Sequence, residues 1–214
     1  MGGGRTRVRP PLHVRSVLRL RERPEGAGRL HVAEGEQVRL RTTTPEECDA
    51  LAGVHRAAFG RDEEADLALA LMRDESFVHD CSLVAEDDAG RFLGHVLFSR
   101  AWLEGDDGGR QPLLCLAPLA VVPDAQRRGI GTALVRVAIE RARADGELAM
   151  IVLGHPSYYP RFGFTEALPL GIRAPYDVPS EAWMVLELTP QALGGTQGTV
   201  QVSAPLDDPE MWRE

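Results

Sequence analysis

The chain has 214 residues, 43% hydrophobic and 26% charged, enough to bury a core without disulfide or metal staples and too apolar for a disordered chain. Its formal net charge is -8, and an acidic body argues against a general nucleic-acid binder, which would present a basic face. The longest apolar run, residues 113–122, is about half of the ~20 residues a spanning helix needs, so no membrane span is expected.

Residues 1–37 read as a separate, disordered N-terminal extension. They carry eight Arg against four Glu and include Gly2-Gly3-Gly4 and Pro10-Pro11, with no period able to bury a face. A basic tail, a targeting peptide and a misplaced start codon all fit this composition, and it holds no continuous apolar stretch of a secretory signal. All 24 basic residues of the chain are Arg, with Lys and Asn absent, a bias that codon composition explains more simply than function does.

The compact domain is expected from Val38, where Val38-Arg39-Leu40-Arg41 alternates like an edge or half-buried strand. Thr44-Pro45-Glu46-Glu47 then supplies an N-cap, a proline at the first helical position and acids in the first turn. The helix that follows places Cys48, Leu51, Ala52, His55 and Phe59 on one stripe. A second helix over 62–73 turns Leu67, Leu71 and Met72 inward. Residues 81–85 and 92–98 read as strands joined by a turn, and 113–122, the most apolar strand, belongs at the centre of the sheet.

Past residue 123 comes a glycine-bearing turn, then a helix through Ala144 stopped by Asp145-Gly146. Residues 148–153 form another buried strand, 155–162 a short aromatic helix or turn ending at Gly163, and 183–188 a last strand. The order βααβββαβαβ indicates an α/β domain, residues 38–193, with 194–214 as a C-terminal tail. Three widely spaced cysteines without a CxxC read as free thiols in a reducing cytoplasm, and six histidines without ligand spacing argue against a metal site.

The chemistry concentrates after the central strand. In Gln126-Arg127-Arg128-Gly129-Ile130-Gly131, two glycines let backbone approach a ligand, and the first turn of the next helix offers free N–H groups to an anion. Arg127 and Arg128 add charge suited to a phosphate. The turn is neither a Walker loop nor a dinucleotide fingerprint. One strand later stands His155-Pro156-Ser157-Tyr158-Tyr159-Pro160-Arg161-Phe162-Gly163-Phe164.

The pairing of Gln-Arg-Arg-Gly-Ile-Gly with Tyr-x-x-x-Gly-Phe, one strand apart, resembles the GNAT superfamily of N-acetyltransferases. The fuller string 155–164, with Trp183-Met184-Val185-Leu186-Glu187-Leu188, resembles a bacterial branch of small N-acetyltransferases. The resemblance covers residues 38–193, and 198–202 extend it weakly. It implies an α/β fold with a mixed central sheet, splayed at an acyl-CoA cleft, and helices on both faces. The backbone of Leu119, Ala120 and Val121 would pair with the pantetheine arm. Gln126, Arg127, Arg128, Gly129, Ile130, Gly131 and Thr132 would hold the pyrophosphate of acetyl-CoA, with no metal. Tyr159 would protonate the departing thiolate, a role a phenol of ordinary acidity suits. Backbone N–H groups near 119–121 would stabilise the oxyanion. Many family members place an Asn before the Tyr turn. Here Gly154-His155 stands in that region, so either His155 substitutes or the contact is missing.

Of the two adjacent tyrosines, one packs and one faces the cleft, and the Gly-Phe spacing favours Tyr159 for the cleft. The general base stays open among Glu63, Glu64, Asp66, His95, Glu104 and a water chain. His95, alternating with Leu93 and Leu97, reads as a strand residue facing the opposite side. Acetyl transfer to a small-molecule or peptide amine by direct attack is the expected activity, in the cytoplasm, without nucleic acid or membrane. A non-catalytic acyl-CoA-binding module and a transferase for longer acyl chains or hydroxyl acceptors are the alternatives. A homodimer and the acceptor's identity stay open.

Overall fold

A computed structural model describes residues 28–31 and 37–208. The other residues of the proposed N-terminal extension lie outside that range. Its strands are β1 (Gly28–His31), β2 (Gln37–Thr42), β3 (Leu83–Asp87), β4 (Phe92–Gly105), β5 (Arg110–Val121), β6 (Ala149–Leu153), β7 (Thr165–Glu166), β8 (Ile172–Arg173), β9 (Trp183–Glu187) and β10 (Gly198–Gln201). Its helices are α1 (Cys48–Phe59), α2 (Glu63–Arg73) and α3 (Ile130–Asp145).

Strand order β1-β2-β3-β4-β5-β6-β9-β7 makes β5 central, as its composition predicts. Neighbours along this path are antiparallel except β5 and β6, which α3 joins as a parallel crossover; off the path, β8 and β10 also pair in parallel. The alternation of β2 holds: Val38 and Leu40 are buried while Arg39 is exposed. Leu113, Leu114 and Leu116 on β5 are fully buried, worth about 1.5–3 kcal/mol each. Leu114 and Leu116 join α3's Leu134, Val135 and Ala138 on one face. Leu113 and Cys115 join α2's Ala68 and Leu71 on the other. Helix α1 packs against α2, β4 and β5.

Several boundaries and faces differ from the sequence expectation. Strand β4 runs on to Gly105, because Ser99 and Ala101 are buried and continue the pairing with β5 through Arg110. Phe59 is 43% exposed, since α1 ends at Gly60 (φ +74°) and its last turn overhangs the core. Helix α2 buries Ala65, Ala68 and Leu71, with Leu67 and Met72 only half-buried. Alanines at that stripe let the helix approach the sheet closely. At the two ends, β1 pairs with β2 ahead of Val38, and β10 pairs with Trp102–Gly105 of β4 beyond Leu193. Val200 and Leu206 are buried, so the region after Leu193 is built into the domain. Among the described residues, no helix is long and apolar enough to cross a membrane.

Candidate active site

The central feature is a fork in the sheet. Strands β5 and β6 pair only at Leu114↔Met150 and Cys115↔Ile151. Beyond those pairs β6 follows β9 to Leu153↔Trp183, while β5 follows β4 to Val121↔Gly94. A bulge drives them apart. Phe98 faces Leu116 and Val96 faces Leu119, so three residue steps on β5 oppose two on β4, with the extra residue at Ala117-Pro118.

The fork leaves one edge of β5 uncovered. Val122 N–H donates to the Leu93 carbonyl at 2.9 Å, which fixes the phase of the β4–β5 ladder. Alternation then turns the polar main-chain groups of Ala120 toward β4 and those of Leu119 and Val121 toward the opening. The Gln126 side-chain amide already donates to the Val121 carbonyl there, at 3.0 Å.

Beyond β5 the chain tightens through Pro123–Ala125 and enters α3 at Gly129, whose φ is +88°. Arg127 takes φ +60°, a left-handed conformation rare for a side chain other than glycine or asparagine. Gln126, Arg127 and Gly129 are exposed, Arg128, Gly131 and Thr132 are half-buried, and Ile130 is buried as the first core residue of α3. A Cβ built on Gly129 meets nothing within 4 Å, so its glycine serves the turn. One on Gly131 would lie 3.1 Å from the Tyr158 hydroxyl, so its glycine serves a close approach.

Beyond β6 the turn Tyr159–Phe162 carries the aromatic cluster. The backbone N–H groups of Tyr158 and Tyr159 both donate to the His155 carbonyl. The His155 side chain is exposed. Tyr159 is only 7% exposed and is packed edge-on against Tyr158 and Phe164. Its ring lies over Gly154: a Cβ there would stand 2.8 Å from Cδ2 and closer still to Cε2. The missing side chain at 154 is therefore the space that the Tyr159 ring fills.

Burial raises the Tyr159 phenol above its usual value, with smaller contributions from Tyr158 and Cys115. No hydrogen bond to a described residue engages its hydroxyl. Burial likewise pushes the Cys115 thiol up to about 12. Tyr158 is half-buried. Its hydroxyl lies against Gly131 at the start of α3, and the Arg161 guanidinium sits 4.6 Å from its ring centroid. The sequence pattern favoured Tyr159 alone for the cleft. The structure brings both tyrosines to the fork, Tyr159 at its base and Tyr158 across its mouth. That second position carries no sequence signal, since it depends on Gly131 lying opposite.

The carboxylates considered as bases are spread out. Glu64 pairs with Arg61, Glu104 pairs with Arg110, and Glu63 and Asp66 are exposed in the first turn of α2. His95 is fully buried, its Nδ1 2.8 Å from Nε2 of His55 on α1. Burial lowers both imidazoles, His55 to about 4 and His95 well below its usual value. Both therefore stay neutral near pH 7. A hollow of about 420 Å³ near the C-terminal strands is lined by Leu170, Ile172, Val185, Glu187 and Leu193. It reaches the Glu187 end of β9, away from the fork at Trp183.

Comparison with known proteins meets this geometry. The model of the acetyltransferase (GNAT) family matches residues 48–164. The uncharacterized N-acetyltransferase YjhQ of Escherichia coli K12 is 43% identical over 145 residues, covering 65% of this chain and 78% of that protein. YhbS of the same strain is 32% identical over 162 residues, covering 76% and 94%. The crystal structure of Escherichia coli YhbS in complex with CoA superposes with a TM-score of 0.75 at 28% identity, over 84% of this chain and 97% of that one. A GNAT family acetyltransferase from Brucella melitensis, solved with acetyl-CoA, gives 0.63 at 28% identity, over 79% and 98%.

Proposed function

The chain belongs to the GNAT family of acetyltransferases, and on that premise we propose that it moves an acetyl group from acetyl-CoA to a primary amine by direct attack in a ternary complex. The observation that carries this reading is the fork. It leaves an uncovered strand edge running from a buried tyrosine to a glycine-opened helix start. Acetyl-CoA supplies an activated acyl carbon and a phosphate-bearing handle. The main-chain groups of Leu119 and Val121 receive the extended pantetheine arm as an added strand, with Ala120 holding β5 to β4 between them. An N–H from the same edge polarises the acyl oxygen as charge builds on it. The turn Gln126–Thr132 grips the pyrophosphate through the free N–H groups and dipole of α3, with Arg127 and Arg128 adding charge.

Tyr159 delivers a proton to the departing sulfur. An ordinary phenol is a weaker acid than a thiol in water, which would oppose the transfer. Burial raises the Cys115 thiol to about 12 and raises the Tyr159 phenol as well, so a bare thiolate and a phenolate are disfavoured alike and the small uphill step between them persists. Cys115 itself stays protonated and takes no acyl group. The domain carrying this activity is the unit from β2 through β10.

Thiol release from acetyl-CoA across a panel of amines tests the proposal. Release should depend on the amine, and Tyr159→Phe should slow turnover by about a hundredfold or more while coenzyme A affinity holds. Tight binding with no release from any amine would instead mark a binding module. A wild-type rate in Tyr159→Phe would remove Tyr159 as the acid.

A further inference from the structure

We propose that Tyr158 is a cofactor-binding residue, closing the mouth of the fork in the free protein and gripping the phosphate-bearing arm of coenzyme A in the complex. The inference rests on the acyltransferase reading and extends it to a residue the sequence pattern assigns to packing. Thr132 belongs to the helix that follows β5, and Tyr158 to the turn that follows β6. The Tyr158 hydroxyl, set against Gly131 beside Thr132, therefore bridges the two strands that part after Cys115 and Ile151. Three contacts fix the tyrosine there. Its hydroxyl stands 3.1 Å from the position a Cβ on Gly131 would take, so any side chain at 131 would dislodge it. Its ring packs edge-on against Tyr159 and Phe162, at centroid distances of 5.1 and 5.3 Å. Arg161 covers the ring and donates to the Ser157 carbonyl at 3.2 Å.

The arrangement turns a one-sided anion site into a two-sided one. Arg127 and Arg128 approach from the β5 side, Tyr158 and Arg161 from the β6 side. A phosphate oxygen at the start of α3 is a stronger acceptor for the Tyr158 hydroxyl than solvent is. Entry of the cofactor thus exchanges a neutral bond for a charge-assisted one. The T-shaped contact between the rings then carries the grip to Tyr159 at the base of the fork.

Calorimetric titration of coenzyme A into wild type, Tyr158→Phe, Arg161→Gln and Tyr159→Phe tests this, with a thermal melt of each to show it folds. Tyr158→Phe should weaken binding about tenfold, the difference between a charge-assisted and a neutral bond. Arg161→Gln should weaken it with a shallower salt dependence. Tyr159→Phe should bind as wild type does. Unchanged or tighter binding by Tyr158→Phe would overturn the inference while leaving the acyltransferase reading intact. A wild-type protein that takes up no coenzyme A would overturn both.

Discussion

Replacing Gly154 by alanine adds one methyl group where the Tyr159 ring lies. The new Cβ would stand 2.8 Å from Cδ2 and 3.2 Å from Cζ, against about 3.5–4.0 Å for comfortable carbon contact. The ring must retreat by roughly 1 Å, and Phe164 and Tyr158 block it on two sides. Gly154 does not occupy the left-handed region, so alanine brings no backbone strain of its own and the ring contact is the whole perturbation. A misplacement of ~1 Å in a reacting group costs about a hundredfold in rate, or about 2.7 kcal/mol. Overpacking should also lower stability by about 1–3 kcal/mol. Steady-state thiol release, with the best amine of a panel, should show a hundredfold fall in kcat with KM for acetyl-CoA little changed. Combining Gly154→Ala with Tyr159→Phe should cost no more than Tyr159→Phe alone, because both remove the same hydroxyl from its place. A Gly154→Ala enzyme within twofold of wild-type kcat would refute the argument, as would full additivity in the double variant.

Acid should unfold the protein through its histidine pair. Free histidine takes up a proton near pH 6.5 and folded His55 only near 4, so stability is complete above about pH 6.5 and declines as pH falls toward 4. His55 alone accounts for about 3 kcal/mol, with His95 adding in the same direction. Urea midpoints measured between pH 7.5 and 4.5 should fall, and a flat or rising profile would contradict the burial of the pair. The thiols should divide sharply: Cys48, half-buried, should react with an aromatic disulfide reagent at pH 8, while Cys81 and Cys115, both pushed up to about 12, should react only on unfolding. Equal reactivity of all three would contradict that packing. Gly129→Val should weaken coenzyme A binding at least tenfold by calorimetry. The space around Gly129 is open, so the loss comes from the left-handed backbone there, and unchanged affinity would remove the turn from the cofactor site.

Legibility followed the range of the interaction. The turn at Gln126–Gly131 was readable because Gly129 answers a local demand, a positive φ where the chain enters α3. The central place of β5 followed from its apolar run. What escaped depends on partners far away in sequence. His55 and His95 are forty residues apart, and each alone looks like an ordinary amphipathic position. The reach of β4 past Phe98 was hidden by Ser99 and Arg100, polar residues that the pairing with β5 and the Arg100–Glu147 ion pair accommodate. Strand β10 is four residues long and shows no face until Val200 is seen buried opposite Leu103 of β4. The fork itself is a place where pairing stops, and a stop leaves no mark in side-chain alternation.

The bulge at Ala117-Pro118 makes chain length a coded quantity in β5. Leu116 and Leu119 point to the same face although they are three residues apart, because the extra residue resets the phase. Deleting one residue between them would remove the bulge and leave Leu119 two steps from Leu116, on the same face as before. The main-chain groups of Leu119 and Val121 would keep facing the opening, while β5 would lose the bend that the bulge gives it. Substitutions in this stretch thus trade side chains, whereas a deletion at the bulge takes away the bend at which β5 leaves β6. Among relatives, the spacing between Leu116 and Gln126 should be held more rigidly than the identities of the residues inside it.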